Sequence, residues 1–211
     1  MFDTAELFKT VVSLFVIVDP IGNVPLFLNA TVKWPASRRS RASRMAAVTV
    51  FIVLALSAVL GEQILDLFGI SLAAFSVGSG ILLLLLAISM LQARISSIRQ
   101  SPEEAVEAVE KEALGVVPFG IPLLAGPGAI SNVMVSVHQH PGWLDLLLIL
   151  IPITVVSLSV WASFLFATPI ARRLGQTGIH IVTRLMGLIL AALAVEMMAK
   201  GIAVLLPALG K

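Results

Sequence analysis

The sequence predicts an all-α membrane protein with six transmembrane helices, arranged as two inverted three-helix repeats in which helices 1 and 4 are broken. Three observations predict this class. First, the 211 residues are 58% hydrophobic and 12% charged, with a mean hydropathy of +1.04; soluble domains are about 45–50% apolar and about 25% charged. Second, the apolar stretches are long enough to cross a bilayer. Third, two of these stretches contain clusters of proline and glycine.

A transmembrane helix needs about 20 mostly apolar residues. Six stretches meet this requirement, namely 5–30, 45–66, 70–92, 115–137, 144–168 and 181–206. With Arg184 assigned to its nearer loop, the loops 31–44, 93–114 and 169–180 hold 11 of the 14 lysines and arginines. The positive-inside rule therefore predicts that these loops are cytoplasmic and that both termini lie outside a bacterial inner membrane. The acidic N-terminus is unlike a signal peptide, so the first span is expected to be retained.

An internal repeat appears at a constant offset of 107 residues, which pairs Pro20 with Pro127 and Gly80 with Gly187. The predicted units are a first three-helix repeat (1–93), a cytoplasmic linker helix (94–114) and a second three-helix repeat (115–211). Because three spans are an odd number, the second repeat enters the membrane from the opposite side. Inverted repeats of this kind are typical of secondary transporters.

Each predicted break resembles a helix start inside the membrane. Asp19-Pro20 and Gly126-Pro127 both read as an N-cap followed by proline at the first helical position. A helix N-terminus attracts a carboxylate, and carbonyls freed by the break can accept hydrogen bonds from an ammonium group. The pair of breaks therefore predicts a midplane site for a small zwitterion. The candidate substrate-binding residues are Asp19, Pro20, Gly22, Asn23, Pro25, Gly126, Pro127, Gly128, Ala129, Ser131 and Asn132.

Alternatives remain open for these residues. Proline and glycine also kink membrane helices for packing alone. Asp19 and Glu196 are candidates for ion coupling because acids inside a membrane are functional by default. Asp19 can equally cap a half-helix, and Glu196 can pair with Lys200 four residues on.

The sequence contains none of the motifs of zinc proteases, serine hydrolases or P-loop nucleotide binding, so neither an enzyme nor an ATP-driven pump is expected. His138-Gln139-His140 has no third metal ligand nearby and is predicted to be a loop. No metal, cofactor or nucleic acid is expected.

Three motifs resemble the MarC family of integral membrane proteins. They are Asp19-Pro20-Ile21-Gly22-Asn23-Val24-Pro25, the stretch from Pro118 to Ser131, and Thr183-Arg184-Leu185-Met186-Gly187-Leu188. The resemblance covers nearly the whole chain. It implies six spans, membership of a neutral amino acid transporter family and a distant similarity to the lysine-exporter superfamily. Pro20, Gly22, Pro25, Gly126, Pro127 and Gly128 match the family pattern, in which Asn can replace Asp19.

The expected function is secondary transport of glycine- or alanine-like amino acids, driven by H⁺ with Na⁺ as the rival. One alternative is an exporter of drugs or other small amphipathic compounds, and another is a non-transporting membrane scaffold. The expected partners are the lipid bilayer, the zwitterionic substrate and the coupling ion, and a homo-oligomer is left open.

Overall fold

The computed structural model describes residues 2–32, 34–92, 124–140 and 142–207. These residues form eight α-helices and, within the described ranges, no β-strand. The helices are α1 (Thr4–Val18), α2 (Val24–Ala30), α3 (Ala36–Leu67), α4 (Leu72–Leu91), α5 (Pro127–Gln139), α6 (Trp143–Leu148), α7 (Leu150–Leu165) and α8 (Ala167–Leu205). The predicted linker helix 94–114 and the start of the predicted fourth span lie outside the described residues.

Four helical segments are long and apolar enough to cross a membrane, namely Ala36–Leu67, Leu72–Leu91, Trp143–Leu165 and Thr177–Leu205. They correspond to the predicted spans two, three, five and six. The predicted first span is interrupted, with α1 ending at Val18 and α2 beginning at Val24. The described portion of the predicted fourth span is α5, which begins at Pro127.

Two predicted loops are largely helical, which corrects the sequence-based boundaries. In 31–44 the helix α3 already begins at Ala36, after Pro35, because alanine and arginine are good helix formers. At about 1.5 Å per residue this helix is longer than the roughly 30 Å hydrocarbon core, so its polar first turns extend beyond it. In 169–180 the helix α8 is interrupted only at Gly175, whose φ of 61° is left-handed.

The helices pack against one another in defined pairs. α4 lies along α8, α3 packs on α7, and α1 contacts both α5 and α7. α5 packs in turn on α3 and α4. The fully buried side chains between them include Leu14, Leu54, Ile153 and Leu190, while many large apolar side chains on the outside of the bundle are exposed. An apolar outer surface of this kind is suited to contact with lipid.

The two ends of the bundle differ in charge. One end holds the start of α1, the C-terminus of α5 and the C-terminal turns of α8, since residues from all three line one cavity; we call it the N-terminal end. The opposite end holds the start of α3 and the start of α8, where Arg39 donates to the Thr168 hydroxyl at 3.3 Å; we call it the arginine end. Its described arginines are Arg38, Arg39, Arg41, Arg44, Arg172, Arg173 and Arg184.

The antiparallel contact between α4 and α8 depends on three glycines, Gly80, Gly187 and Gly201. A Cβ at Gly80 would lie 2.9 Å from the carbonyl oxygen of Ala194 and 2.6 Å from the Met198 side chain. A Cβ at Gly187 would lie 3.2 Å from the carbonyl oxygen of Ala87. The two contacts exchange under the offset of 107 residues, since Gly187 follows Gly80 and Ala194 follows Ala87 by that number.

Gly80→Ala is expected to lower stability by about 1–3 kcal/mol, because the added methyl group meets backbone that cannot move aside. The matched control is Gly78→Ala two residues earlier in α4, where a Cβ would have nothing within 4 Å. Thermal unfolding of the purified proteins in detergent measures the difference. Equal melting temperatures for the two variants would contradict the close approach of α4 and α8.

Candidate functional site

The first break is built around Asp19, which is 1% exposed and ends α1. Its φ of 48° is left-handed, a conformation that Asp adopts more readily than most residues. Its backbone N–H donates to the carbonyl of Phe15 at 2.9 Å, and its carboxylate accepts from the N–H of Gly22 at 3.1 Å. A Cβ on Gly22 would overlap this carboxylate, so glycine is required here by the close approach of the acid.

Asn23 completes the break from a fully buried position. Its amide nitrogen donates to the carbonyl of Val18 at 3.0 Å and to that of Asp19 at 2.8 Å. The carbonyls expected to receive a substrate ammonium group are therefore already bonded to the protein. Asn23 thus has a structural role in this conformation.

The predicted helix start at Asp19-Pro20 is wrong. Pro20, which is buried, and the three residues after it form a turn, and α2 begins at Val24 with Pro25 as its second residue. The reason is the left-handed Asp19, which ends α1 and is followed by a turn before a helix resumes. Asp19 still caps the turn, since its carboxylate bonds the N–H three residues later as an N-cap would.

The second break follows the prediction. Gly126 is the N-cap of α5 in an extended conformation, and Pro127, which is exposed, is the first helical residue. Gly128 is buried, and a Cβ there would overlap the side chain of Leu83 on α4. The start of α5 therefore lies directly against α4.

The residues after this start turn polar groups towards α4. Ala129 and Ser131 are fully buried, and the Ser131 hydroxyl lies 3.3 Å from that of Ser76. Asn132 is half-buried, and its buried amide oxygen has no hydrogen-bond partner among the described residues. A buried acceptor without a partner is costly, and Asn132 is therefore a candidate ligand contact.

A cavity of about 440 Å³ lies between α1, α4, α5 and α8 and reaches Asn132. Its polar lining includes Glu6, Lys9, Thr10, Ser13, Ser76, Asn132, Ser136, His138, Gln139, His140, Glu196 and Lys200. The lining thus carries both charges and several neutral hydrogen-bonding groups.

Two of the predicted site residues, Asn132 and Glu196, line this cavity. The remaining candidates form the two breaks, outside the cavity lining. Sequence reasoning missed Thr10, Ser13 and Ser76. Their signal was available: Glu6, Thr10 and Ser13 recur at positions i, i+4 and i+7, which places them on one face of α1.

Glu196 forms the ion pair that was one of its two predicted roles. Its carboxylate lies 3.1 Å from Nζ of Lys200, and its side chain is 61% exposed within the protein. A role of Glu196 in ion coupling would therefore involve a carboxylate that is already paired with Lys200.

The predicted loop at His138 is corrected, since α5 continues to Gln139 and His140 follows it directly. Each histidine contacts an acid of another helix: His138 lies 2.9 Å from Glu62, and His140 lies 3.2 Å from Glu6. Within the described ranges, no three His, Cys, Asp or Glu side chains form a group that could hold a metal ion.

Comparison with known proteins identifies the family of this chain. The sequence model of the family described as MarC family integral membrane protein matches residues 4–206. The chain belongs to the MarC family. It is 38% identical to the UPF0056 membrane protein YhcE of Escherichia coli (strain K12) over 208 residues, covering 99% of this chain and 97% of the relative. It is also 37% identical to the UPF0056 membrane protein YvbG of Bacillus subtilis (strain 168) over 199 residues, covering 94% of each chain.

The family extends to archaea, because a UPF0056 membrane protein of Methanocaldococcus jannaschii is 36% identical over 190 residues, covering 90% of this chain and 92% of that one. No solved structure matches this MarC-family chain. The protein is thus an integral membrane protein of this family, with several apolar helices.

Asn23→Ala is expected to destabilise the MarC-family fold, since the carbonyl of Val18 loses its amide donor, whereas that of Asp19 keeps the backbone N–H of Asn23 at 3.2 Å. Each buried acceptor left unpaired costs about 1–3 kcal/mol. Asn29→Ala is the matched control, because Asn29 is an exposed residue of the same short helix α2. Thermal unfolding in detergent compares the two, and an Asn23→Ala protein as stable as Asn29→Ala would contradict the role given to Asn23.

Proposed function

We propose that this protein is a secondary transporter of small neutral amino acids such as glycine and alanine, and not an enzyme. The observation that carries the proposal is the cavity of about 440 Å³, which reaches from the N-terminal end of the bundle to Asn132. Its lining contains the acidic residues Glu6 and Glu196 and the basic residues Lys9 and Lys200. Charges of both signs suit a ligand that carries an ammonium group and a carboxylate but no net charge.

Asn132 gives this ligand a polar contact at the second break. Its unpaired amide oxygen accepts a hydrogen bond from the substrate ammonium group. Pro127 lies five residues earlier, about 7.5 Å along the helix by the usual rise and outside the cavity lining, so the basic groups Lys9 and Lys200 of the lining are the proposed partners of the carboxylate.

The proposed architecture is two inverted three-helix repeats, 1–93 and 115–211, joined by the linker 94–114. Two features support it. The helices α3 and α6 begin at Ala36 and Trp143, which are 107 residues apart. The contacts at Gly80 and Gly187 also exchange under the same offset.

The arginine end is proposed to face the cytoplasm of a bacterial cell and both termini to lie outside the inner membrane. The seven arginines of that end support this orientation under the positive-inside rule. The cavity then opens towards the outside, and rocking of one repeat against the other exposes the site to the cytoplasm. An H⁺ gradient is the proposed driving force, with Na⁺ as the rival ion.

A second candidate is favoured by the size of the cavity. A volume of about 440 Å³ falls in the range of about 300–1,000 Å³ that pockets for drug-sized ligands occupy. Glycine and alanine would leave much of it to water. An exporter of small amphipathic compounds would instead use the apolar lining, which includes Leu193 and Met197.

Proteoliposomes that hold the purified protein are expected to accumulate radiolabelled glycine and alanine when an H⁺ gradient is imposed. Parallel vesicles with a Na⁺ gradient identify the coupling ion. Vesicles loaded with a fluorescent amphipathic cation test the second candidate. Transport of the cation without uptake of either amino acid would replace the first proposal by the second.

Asn132→Ala is expected to raise the KM for glycine about tenfold or more. A hydrogen bond to a charged group contributes about 1.5–3 kcal/mol, and about 1.4 kcal/mol corresponds to a factor of ten in affinity. Ser89→Ala is the control, since Ser89 is half-buried, lies outside the cavity lining, and its hydroxyl is bonded to the carbonyl of Leu85 at 3.0 Å. An unchanged KM in Asn132→Ala would remove this residue from the proposed site.

A further inference from the structure

His140 lies in the cavity wall with both of its ring nitrogens against hydrogen-bond acceptors. Nδ1 is 3.2 Å from the carbonyl oxygen of Ser136, and Nε2 is 3.2 Å from a carboxylate oxygen of Glu6. The same oxygen of Glu6 also accepts from the backbone N–H of Asp3. The side chain of His140 is 16% exposed and that of Glu6 is 41% exposed, so the histidine is the more enclosed member of this pair.

A count of protons shows what this arrangement needs. A neutral imidazole has one N–H and can donate to one partner only. A carbonyl oxygen and a carboxylate both accept, so a neutral His140 can donate to Ser136 or to Glu6 but not to both. Satisfying both contacts needs one more proton, on His140 or on Glu6, because otherwise one ring nitrogen faces an acceptor with its lone pair.

We propose that Glu6 and His140 share one exchangeable proton, and that this proton holds the start of α1 against the end of α5 in the wall of the cavity. The Phe2 ring stacks on the His140 ring with centroids 4.1 Å apart, so the shared proton also supports an apolar contact. When the proton leaves, His140 keeps an N–H for only one of its two acceptors, so its hold on Glu6 weakens and the start of α1 is tied less firmly to the end of α5.

The contact joins one broken helix from each half of the chain. In the transporter proposed above, proton release therefore loosens the halves from one another on the side to which the cavity opens. This role in transport rests on the proposed function, whereas the proton-dependent contact itself does not.

Other charged groups face the same space. Lys9 on α1, His138 on α5, and Glu196 and Lys200 on α8 line the cavity, and Asp145 on α6 accepts from the backbone N–H of Phe2 at 2.7 Å. His138 is the natural comparison, because it has its own acid, Glu62, and its side chain is 58% exposed.

Spin-label distances test the proposal directly. The chain has no cysteine, so Ala5→Cys and Gln139→Cys place a pair of labels at exposed positions on the two helix ends. Pulsed electron paramagnetic resonance then measures the distance between the two labels at several pH values from about pH 5 to pH 8, the range in which histidine side chains change charge. The expected result is a short, narrow distance distribution at low pH that becomes longer and broader at high pH.

His140→Gln in this labelled protein is expected to abolish the pH dependence, while His138→Gln leaves it unchanged. Glu6→Gln is a second variant in case His140→Gln does not fold. Its amide can donate to the neutral imidazole, so the contact holds at every pH. A separation that is independent of pH in the otherwise unchanged protein, or that keeps its pH dependence in either variant, overturns the proposal.

Glycine uptake is measured on the protein without the two cysteines, because Gln139 lines the cavity, and it distinguishes failure of this proposal from failure of the proposed function. A pH-dependent separation in a protein without uptake supports the proton site and removes its role in transport. Uptake in a protein whose separation ignores pH supports the transporter and overturns the proton site.

Discussion

The break in the first helix depends on one side chain, the amide of Asn23. A membrane interior supplies no water, so every backbone group freed by a broken helix must find a partner in the protein. Asn23 bonds two of the freed carbonyls, and the Asp19 carboxylate bonds the N–H of Gly22. The interruption is therefore held in place by its own polar residues. The same bonds make those residues unavailable to a ligand in this conformation.

The second break is capped differently from the first, without a hydrogen bond from a side chain. Gly126 caps α5 without a side-chain hydrogen bond, and α5 begins with Pro127 and Gly128. No side chain of that cap occupies the positive end of the helix. Further along α5, Asn132 has a buried amide oxygen without a partner in the described parts of the chain. The two breaks occupy matching places in the sequence. The freed backbone groups of the first break are bonded by its own side chains, whereas the helix that begins at the second break leaves the Asn132 amide oxygen available to a ligand.

Most of the long helices and the positions of the two breaks could be predicted from composition and spacing, because long apolar runs and proline clusters act locally. The interrupted first span and the helix start at Pro127 were both predicted from the sequence. The start of α2 was not, since the left-handed backbone of Asp19 has no signature that separates it from an N-cap. The cavity could not be predicted either. It depends on which faces of α1, α4, α5 and α8 meet, and a sequence with an apolar residue at most positions does not specify those faces.

The contacts between the halves suggest where movement costs least. At Gly80 and Gly187 the helices α4 and α8 touch through methylene groups and backbone, and such contacts can slide with little loss because dispersion has no strong direction. At the N-terminal end, α1 and α5 are joined by the 3.2 Å contact of Glu6 with His140 and by the Phe2 ring that stacks on the histidine, and the proposed proton makes the first of these contacts directional. A rocking motion that keeps the first contact and breaks the second would be controlled by the second. The proton count at His140 therefore connects the acid–base chemistry of one exposed end to the relative position of both broken helices.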